Sequence, residues 1–206
     1  MRRTKEDAEQ TRRAILASAM DMFYEKGYSK TTFDEIAKRI GLTKGAVYWY
    51  FRNKPDIVAA LINYFAEKHL AGIREYIAVN EASFENIIGM QLLNNKHIRE
   101  DARFYKFLFF VSCQMEWSEA IINKIQPSIE QTKQVTRSLL VDALQIMKND
   151  GKIREDVNID MICEILMTMY GGMLEAYFTK RLTNDLDELV RTGFTLIFNN
   201  IKTESK

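Results

Sequence analysis

Proline, glycine, cysteine and histidine are all scarce in this chain. Two prolines and nine glycines among 206 residues leave few places for tight reversals, which excludes a sheet fold of many hairpins and favours long elements. Two cysteines, Cys113 and Cys163, cannot staple a disulfide-rich scaffold. Each sits in an apolar, helix-patterned stretch and is expected to be a buried, reduced thiol. The two histidines, His69 and His97, lie far from either cysteine without ligand spacing, so no metal site is expected. There is no phosphate-cradling glycine loop, no HExxH and no nucleophile elbow. No catalytic residue, cofactor or enzyme activity is therefore expected. No apolar run approaches a membrane span and no leader pattern opens the chain, so the expectation is a cytoplasmic protein with no membrane partner.

What is present reads as helix. The chain is 47% hydrophobic and 28% charged, an ordinary globular composition. Leu, Ile, Met, Ala, Glu and Lys are frequent and strict apolar/polar alternation is rare, so the expected fold class is all-α with about nine helices. Net charge is only +1, but it is unevenly placed. Residues 1–54 carry 12 Lys and Arg against 7 Asp and Glu, and the remainder carries 17 against 21. A basic head on an acidic body directs attention to nucleic acid at the N-terminal end.

The periodicity predicts a first helix from about Glu6 to Lys26, with Ile15, Leu16, Ala19, Met22 and Phe23 on one stripe and Gly27 as its stop. Thr32 with Glu35 three residues on is a capping-box pattern, opening a short helix with Phe33, Ile36, Ala37 and Ile40 on its buried face. Gly41-Leu42-Thr43 is a tight turn, and Thr43 caps a third helix from Lys44. Further helices are expected over 55–79, after Ser83, over 102–116, then to Asn149, over 159–180 and over 186–201, with a break or kink at Pro127.

Two short helices joined by a glycine-containing turn are a helix-turn-helix. The stretch "TKGAVYWYF", residues 43–51, then has two faces. Val47 and Phe51 pack inward, while Lys44 and Tyr48 share another face. Thr43, Lys44 and Tyr48 suit a major groove, and Gly45 permits close approach. Taken alone, the stretch also fits a compact three-helix core with surplus aromatics.

Residues 31–57, "TTFDEIAKRIGLTKGAVYWYFRNKPDI", closely resemble the signature of the tetracycline-repressor (TetR) family of bacterial transcription regulators. Residues 11–28 look like that family's first helix, and the head is most similar to its AcrR-like, multidrug-efflux-repressor branch. Many members carry histidine where this chain has Tyr50. The resemblance implies that Thr32 touches phosphate, that Thr43, Lys44, Gly45 and Tyr48 meet base edges or the groove wall, and that Trp49, Tyr50 and Lys54 clamp the backbone. It implies a helix-turn-helix DNA-binding domain over 1–54 and a helical ligand-binding and dimerisation domain over 55–206. The partners it implies are double-stranded operator DNA, a second copy of the chain and a small-molecule ligand. The last two helices would pair with their symmetry mates as a four-helix bundle.

The body supports this less specifically. Ile162, Leu166, Met169 and Met173 form a stripe beside Gly171 and Gly172, and Leu186, Leu189, Val190, Phe194, Ile197 and Phe198 give the last helix a wide apolar face. Met169, Gly172, Leu189, Phe194 and Ile197 are candidate dimer residues, although both helices also read as monomer core. Phe104, Phe107, Phe110, Val111, Met115 and Trp117 crowd one helix, with Gln114 among them, and Phe65, Tyr170, Met173 and Tyr177 are candidates to face it. These are candidate pocket residues, and equally a plain core. Glu164 and Glu175 either orient a ligand or lie on the surface. The expected function is a transcriptional repressor released from a pseudo-palindromic operator by a small hydrophobic or amphipathic ligand. The alternative is a same-fold, DNA-tethered interaction protein or activator without an inducer.

Overall fold

A computed structural model of the chain describes residues 5–203. Among these the protein is all-α, with one isolated bridge between Ile153 and Lys202. The helices are α1 (Lys5–Lys26), α2 (Phe33–Arg39), α3 (Lys44–Tyr50), α4 (Lys54–Val79), α5 (Phe84–Glu100), α6 (Ala102–Phe109), α7 (Glu119–Asn149), α8 (Ile159–Phe178) and α9 (Leu186–Ile201). A five-residue π-helical turn, Phe110–Gln114, continues α6. Arg2 and Arg3 of the basic N-terminal arm lie outside the described residues.

Local chemistry sets the helix ends. Thr32 accepts from the Glu35 amide while the Glu35 carboxylate accepts from the Thr32 amide, which is the reciprocal box its sequence announces. Thr43, Asp101, Asn158 and Asp185 cap α3, α6, α8 and α9 in the same side-chain-to-amide manner. At the end of α2, Gly41 turns left-handed at φ +68°. Its amide and that of Leu42 then reach back to the carbonyls of Lys38 and Ala37, a Schellman closure that only glycine adopts cheaply.

α7 runs unbroken through Pro127, so of the break or kink that the sequence suggested, the break does not occur. The missing N–H removes one rung of a 31-residue helix whose Ile121 and Ile125 are buried on the N-terminal side of the proline and Leu140, Leu144 and Met147 beyond it. Cys163 is buried as expected. Cys113, in the π-helical turn, is exposed, contrary to expectation.

Two compact units divide the chain, and the division falls within α4 and within α7. The first comprises the chain up to Glu67 together with Asp101–Glu130. Its core gathers Ile15, Ala19 and Phe23 of α1, Phe33 and Ile36 of α2, Val47, Phe51, and Ile57, Leu61 and Phe65 of α4 around Phe107 and Phe110. The second comprises Lys68–Glu100 and the chain from Gln131 onward. There Leu144 and Met147 pack with Cys163, Leu166, Val190, Phe194 and Phe198.

A boundary after residue 54 therefore does not describe the compact units. α6 and the π turn pack on α1, as local contacts require: Phe110 stacks on Phe23 at 5.1 Å, Lys106 pairs with Asp21 at 2.5 Å, and Gln114 Nε2 donates to the Tyr24 carbonyl at 3.1 Å.

Candidate nucleic-acid interface

The helix-turn-helix is built on one buried stripe. Val47 is fully buried and Phe51 nearly so, four residues apart on the inner face of α3 and its cap. The rotation that buries them turns Lys44, Tyr48 and Trp49 outward. Trp49 is 75% exposed and Tyr48 49% exposed, an unusual outlay of aromatic surface for a seven-residue helix. Tyr48 is held by Phe33 of α2, ring centroids 4.7 Å apart, and the Lys44 ammonium lies 5.7 Å from its ring. A cation, a phenol and an indole thus stand together, each with a hydrogen-bonding tip.

Gly45 lies on the same exposed surface. A Cβ added there would meet nothing within 4 Å, and its backbone is ordinary helix. Neither packing nor backbone conformation calls for glycine, so its small size suits something outside the protein. Thr43, Gly45, Ala46, Trp49 and Tyr50 line a groove with Lys5 and Ala8 of α1. Lys5 belongs to the basic N-terminal stretch that the sequence offered for added backbone contacts, whereas Ala8 was not singled out; the fold brings both to this groove. The Tyr50 hydroxyl is buried without a hydrogen-bond partner.

Three basic residues of the head are paired internally, which leaves its net surplus unchanged. Lys38 pairs with Asp34 at 2.7 Å, Arg39 makes a bidentate pair with Glu25 at 2.7 and 2.8 Å, and Lys26 reaches Glu35 at 2.5 Å. The hydrogen bond from Lys26, followed by that from Thr32, holds the Glu35 carboxyl down to about 2. The Arg39 hydrogen bond likewise holds Glu25 below the ordinary carboxylate range.

Two residues expected to hold phosphate are occupied in other ways. The Thr32 hydroxyl and amide both donate to Glu35, at 2.7 and 3.0 Å. The Lys54 ammonium donates to the carbonyls of Tyr28 and Ser29, at 2.8 and 3.2 Å, and burial draws its pKa below the ordinary lysine value.

The candidate pocket residues fall in both units. Phe65, Phe107, Phe110 and Met115 are buried in the first, with Phe104 and Val111 packed against them. Rings meet rings there, Phe65 stacking on Phe107 at 4.3 Å, which is the packing of a closed core. Gln114 is tied to α1, its carbonyl oxygen buried without a partner, and Trp117 is 51% exposed. Tyr170, Met173 and Tyr177 pack against the core of the second unit. The Tyr170 hydroxyl accepts from Asn94 and donates to Asn95, which in turn donates to Asp187. Glu164 is exposed, and Glu175 is exposed and paired with Arg181.

Of the candidate dimer residues, Gly172 is exposed and Met169, Leu189 and Ile197 are half-buried. Phe194 is 1% exposed and does not belong among them. The stripe Val190, Phe194, Phe198 and Ile201 is the face α9 turns to its own core. The sequence reading passed over Met161, Ile165 and Leu196, which are exposed, Leu196 at 61%. Gly193, not Gly171 or Gly172, allows a close approach within the subunit. A Cβ there would lie 3.0 Å from the Met169 sulfur, whereas Gly171 and Gly172 face open space.

Comparison with known proteins adds to this geometry. Residues 15–61 match the family described as "Bacterial regulatory proteins, tetR family". The transcriptional repressor BepR of Brucella suis is 26% identical over 186 residues, covering 86% of this chain and 85% of BepR. The transcriptional regulator TtgR of Pseudomonas putida is 45% identical over 69 residues, 34% of this chain and 33% of TtgR. The crystal structure of NalD, the secondary repressor of the MexAB-OprM multidrug efflux pump in Pseudomonas aeruginosa, superposes with a TM-score of 0.79 at 21% identity, covering 98% of this chain and all of NalD. At that identity the likeness establishes a shared fold.

Proposed function

We infer the role of this chain from its membership of the tetR family of bacterial regulatory proteins: it is a DNA-binding transcriptional repressor and not an enzyme. The observation that carries the reading is the outward face of α3, where Lys44, Tyr48 and Trp49 stand exposed on a helix anchored by buried Val47. Lys44 is assigned to base edges, most suitably guanine, with Thr43 and Tyr48 beside it and Gly45 letting the helix sit close. Trp49 and Tyr50 are assigned to the sugar-phosphate backbone along the groove they line.

A seven-residue helix reads few base pairs, so the functional species is a homodimer on a pseudo-palindrome, its half-sites about 34–36 Å apart or a multiple of that. The partner surface is the outer side of α8 and α9, around Met161, Ile165, Gly172 and Leu196. BepR is named a repressor, and NalD is the repressor of a multidrug efflux pump. Those descriptions favour an efflux operon as the target and a small hydrophobic or amphipathic molecule as the releasing ligand.

Selection on randomised operators, with wild type and Lys44→Ala in parallel, tests the central assignment. The variant is expected to lose about 1–3 kcal/mol at one base pair of each half-site and relax the preference there. A selected sequence indistinguishable from that of wild type removes Lys44 from the reading face.

A further inference from the structure

Lys54 stands in the first turn of α4, where its charge suggests a phosphate ligand. Its surroundings assign it elsewhere. An ammonium has three donors, and two of these go to the Tyr28 and Ser29 carbonyls. The Tyr28 ring lies 4.4 Å from the same nitrogen. These carbonyls follow the C-terminus of α1, where helical carbonyls lack intrahelical donors and a positive charge is favourable.

The same turn is held from a second direction by the segment that follows the π turn. The Ser29 hydroxyl donates to the carboxylate of Glu116, 87 residues away in sequence, and Gln114 Nε2 donates to the Tyr24 carbonyl one helical turn earlier. The Glu116 charge is felt at both neighbours. It raises Tyr28 in addition to the larger effect of burial, and it opposes the burial that lowers Lys54.

We propose that Lys54 and Glu116 are positioning residues for operator binding, which clamp the Tyr28–Ser29 turn between them and thereby set the pose of the reading helix. The path is short. Thr31, almost fully buried, donates its amide to the Tyr28 carbonyl that Lys54 also holds, and its hydroxyl to the Gly27 carbonyl. Thr32 follows as the cap of α2, and Phe33, the first residue of that helix, carries Tyr48 on its ring. Loosening the turn moves Phe33 and so the phenol that flanks Lys44. The two carbonyl bonds leave only one donor of the Lys54 ammonium uncommitted, with the ring beneath it.

The proposal rests on the DNA-binding reading, and one arm of its test does not need DNA. In the free protein, hydrogen exchange at the amides of Thr31 to Glu35 is expected to quicken in Lys54→Met and Glu116→Leu. It should stay as in wild type in Glu116→Gln, whose amide oxygen still accepts from Ser29. In the DNA arm, operator affinity is measured over a range of salt concentrations. Lys54→Met is expected to bind about tenfold more weakly, as loss of charged hydrogen bonds implies, with the slope of log K against log salt unchanged. A slope shallower by about 0.9 marks the loss of one phosphate contact and overturns the proposal. If Lys54→Met does not fold, Ser29→Ala and Glu116→Leu decide. Each should weaken operator binding several-fold at constant slope, and wild-type affinity together with wild-type exchange in both overturns the proposal. A wild-type protein that binds no DNA sequence, yet shows the expected exchange pattern, overturns the DNA-binding reading instead.

Discussion

Gly45 separates what folding needs from what binding needs. A helical glycine without a steric neighbour costs the free protein stability, about 0.5–1 kcal/mol relative to alanine. Gly45→Ala is therefore expected to raise the thermal midpoint while weakening operator binding, because the added methyl stands on the face that approaches the duplex. A melting curve and a gel-shift titration on the same preparation check both halves, and a variant that is stabilised with full affinity would show that no close approach occurs there. At this scale the sequence spoke clearly wherever a role depends on helical phase. Val47 and Phe51 inward with Lys44 and Tyr48 outward followed from spacing alone. Roles that depend on a distant partner were invisible. Nothing near Lys54 hints at the Tyr28 and Ser29 carbonyls, and nothing near Arg39 hints at Glu25. The head accordingly has fewer unpaired cations than its composition suggests, at an unchanged net charge.

The short α2 depends heavily on its start. With seven residues it falls well below the length at which an isolated helix persists, so its capping box and its buried Phe33 and Ile36 must hold it. Thr32→Ala is expected to cost about 0.5–2 kcal/mol in chemical denaturation, the usual loss of a helix cap. The other half of the box titrates. Glu35 is held at about 2, against 4.5 for the unperturbed group, by its hydrogen bonds from Lys26 and Thr32. A carboxyl whose folded pKa is depressed stabilises fully above its unfolded pKa and loses that contribution as pH falls through the folded one. The stability difference between wild type and Glu35→Gln should therefore be constant above about pH 5 and shrink between 4.5 and about 2. A difference that ignores pH would mean the box owes nothing to the charge. Elements of this kind were legible because caps, glycine stops and apolar stripes are local. The π turn after α6 was not, since no residue in Phe110–Gln114 signals an extra backbone step, and packing on Phe23 and the Tyr24 carbonyl accompanies it. A break at Pro127 was expected for the opposite reason: a local rule for ending helices is outweighed by apolar contacts on both sides of it.

At the scale of the whole molecule, the apolar face of α9 has to be divided between subunit core and partner surface, and its sequence alone could not divide it. Phe194→Ala should cost about 3–5 kcal/mol of subunit stability, as for any large buried ring. Leu196→Glu should leave subunit stability within about 0.5 kcal/mol while splitting the dimer and abolishing operator binding. Gly172→Arg should behave as Leu196→Glu does. Sedimentation of a dimeric, DNA-competent Leu196→Glu protein would place the interface on another surface. The assembly also fixes what release by a ligand requires. Binding free energies are reciprocal, so a ligand that weakens operator binding tenfold must itself bind the operator complex tenfold more weakly, about 1.4 kcal/mol of coupling. Affinity for the free protein says nothing about induction, because a ligand that binds both states equally shifts neither. Calorimetric titration of a ligand into free protein and into the operator complex supplies the two constants. Their ratio is expected to equal the ratio of operator affinities measured without and with saturating ligand. Equal ligand constants in the two titrations would exclude that compound as an inducer, however tightly it binds.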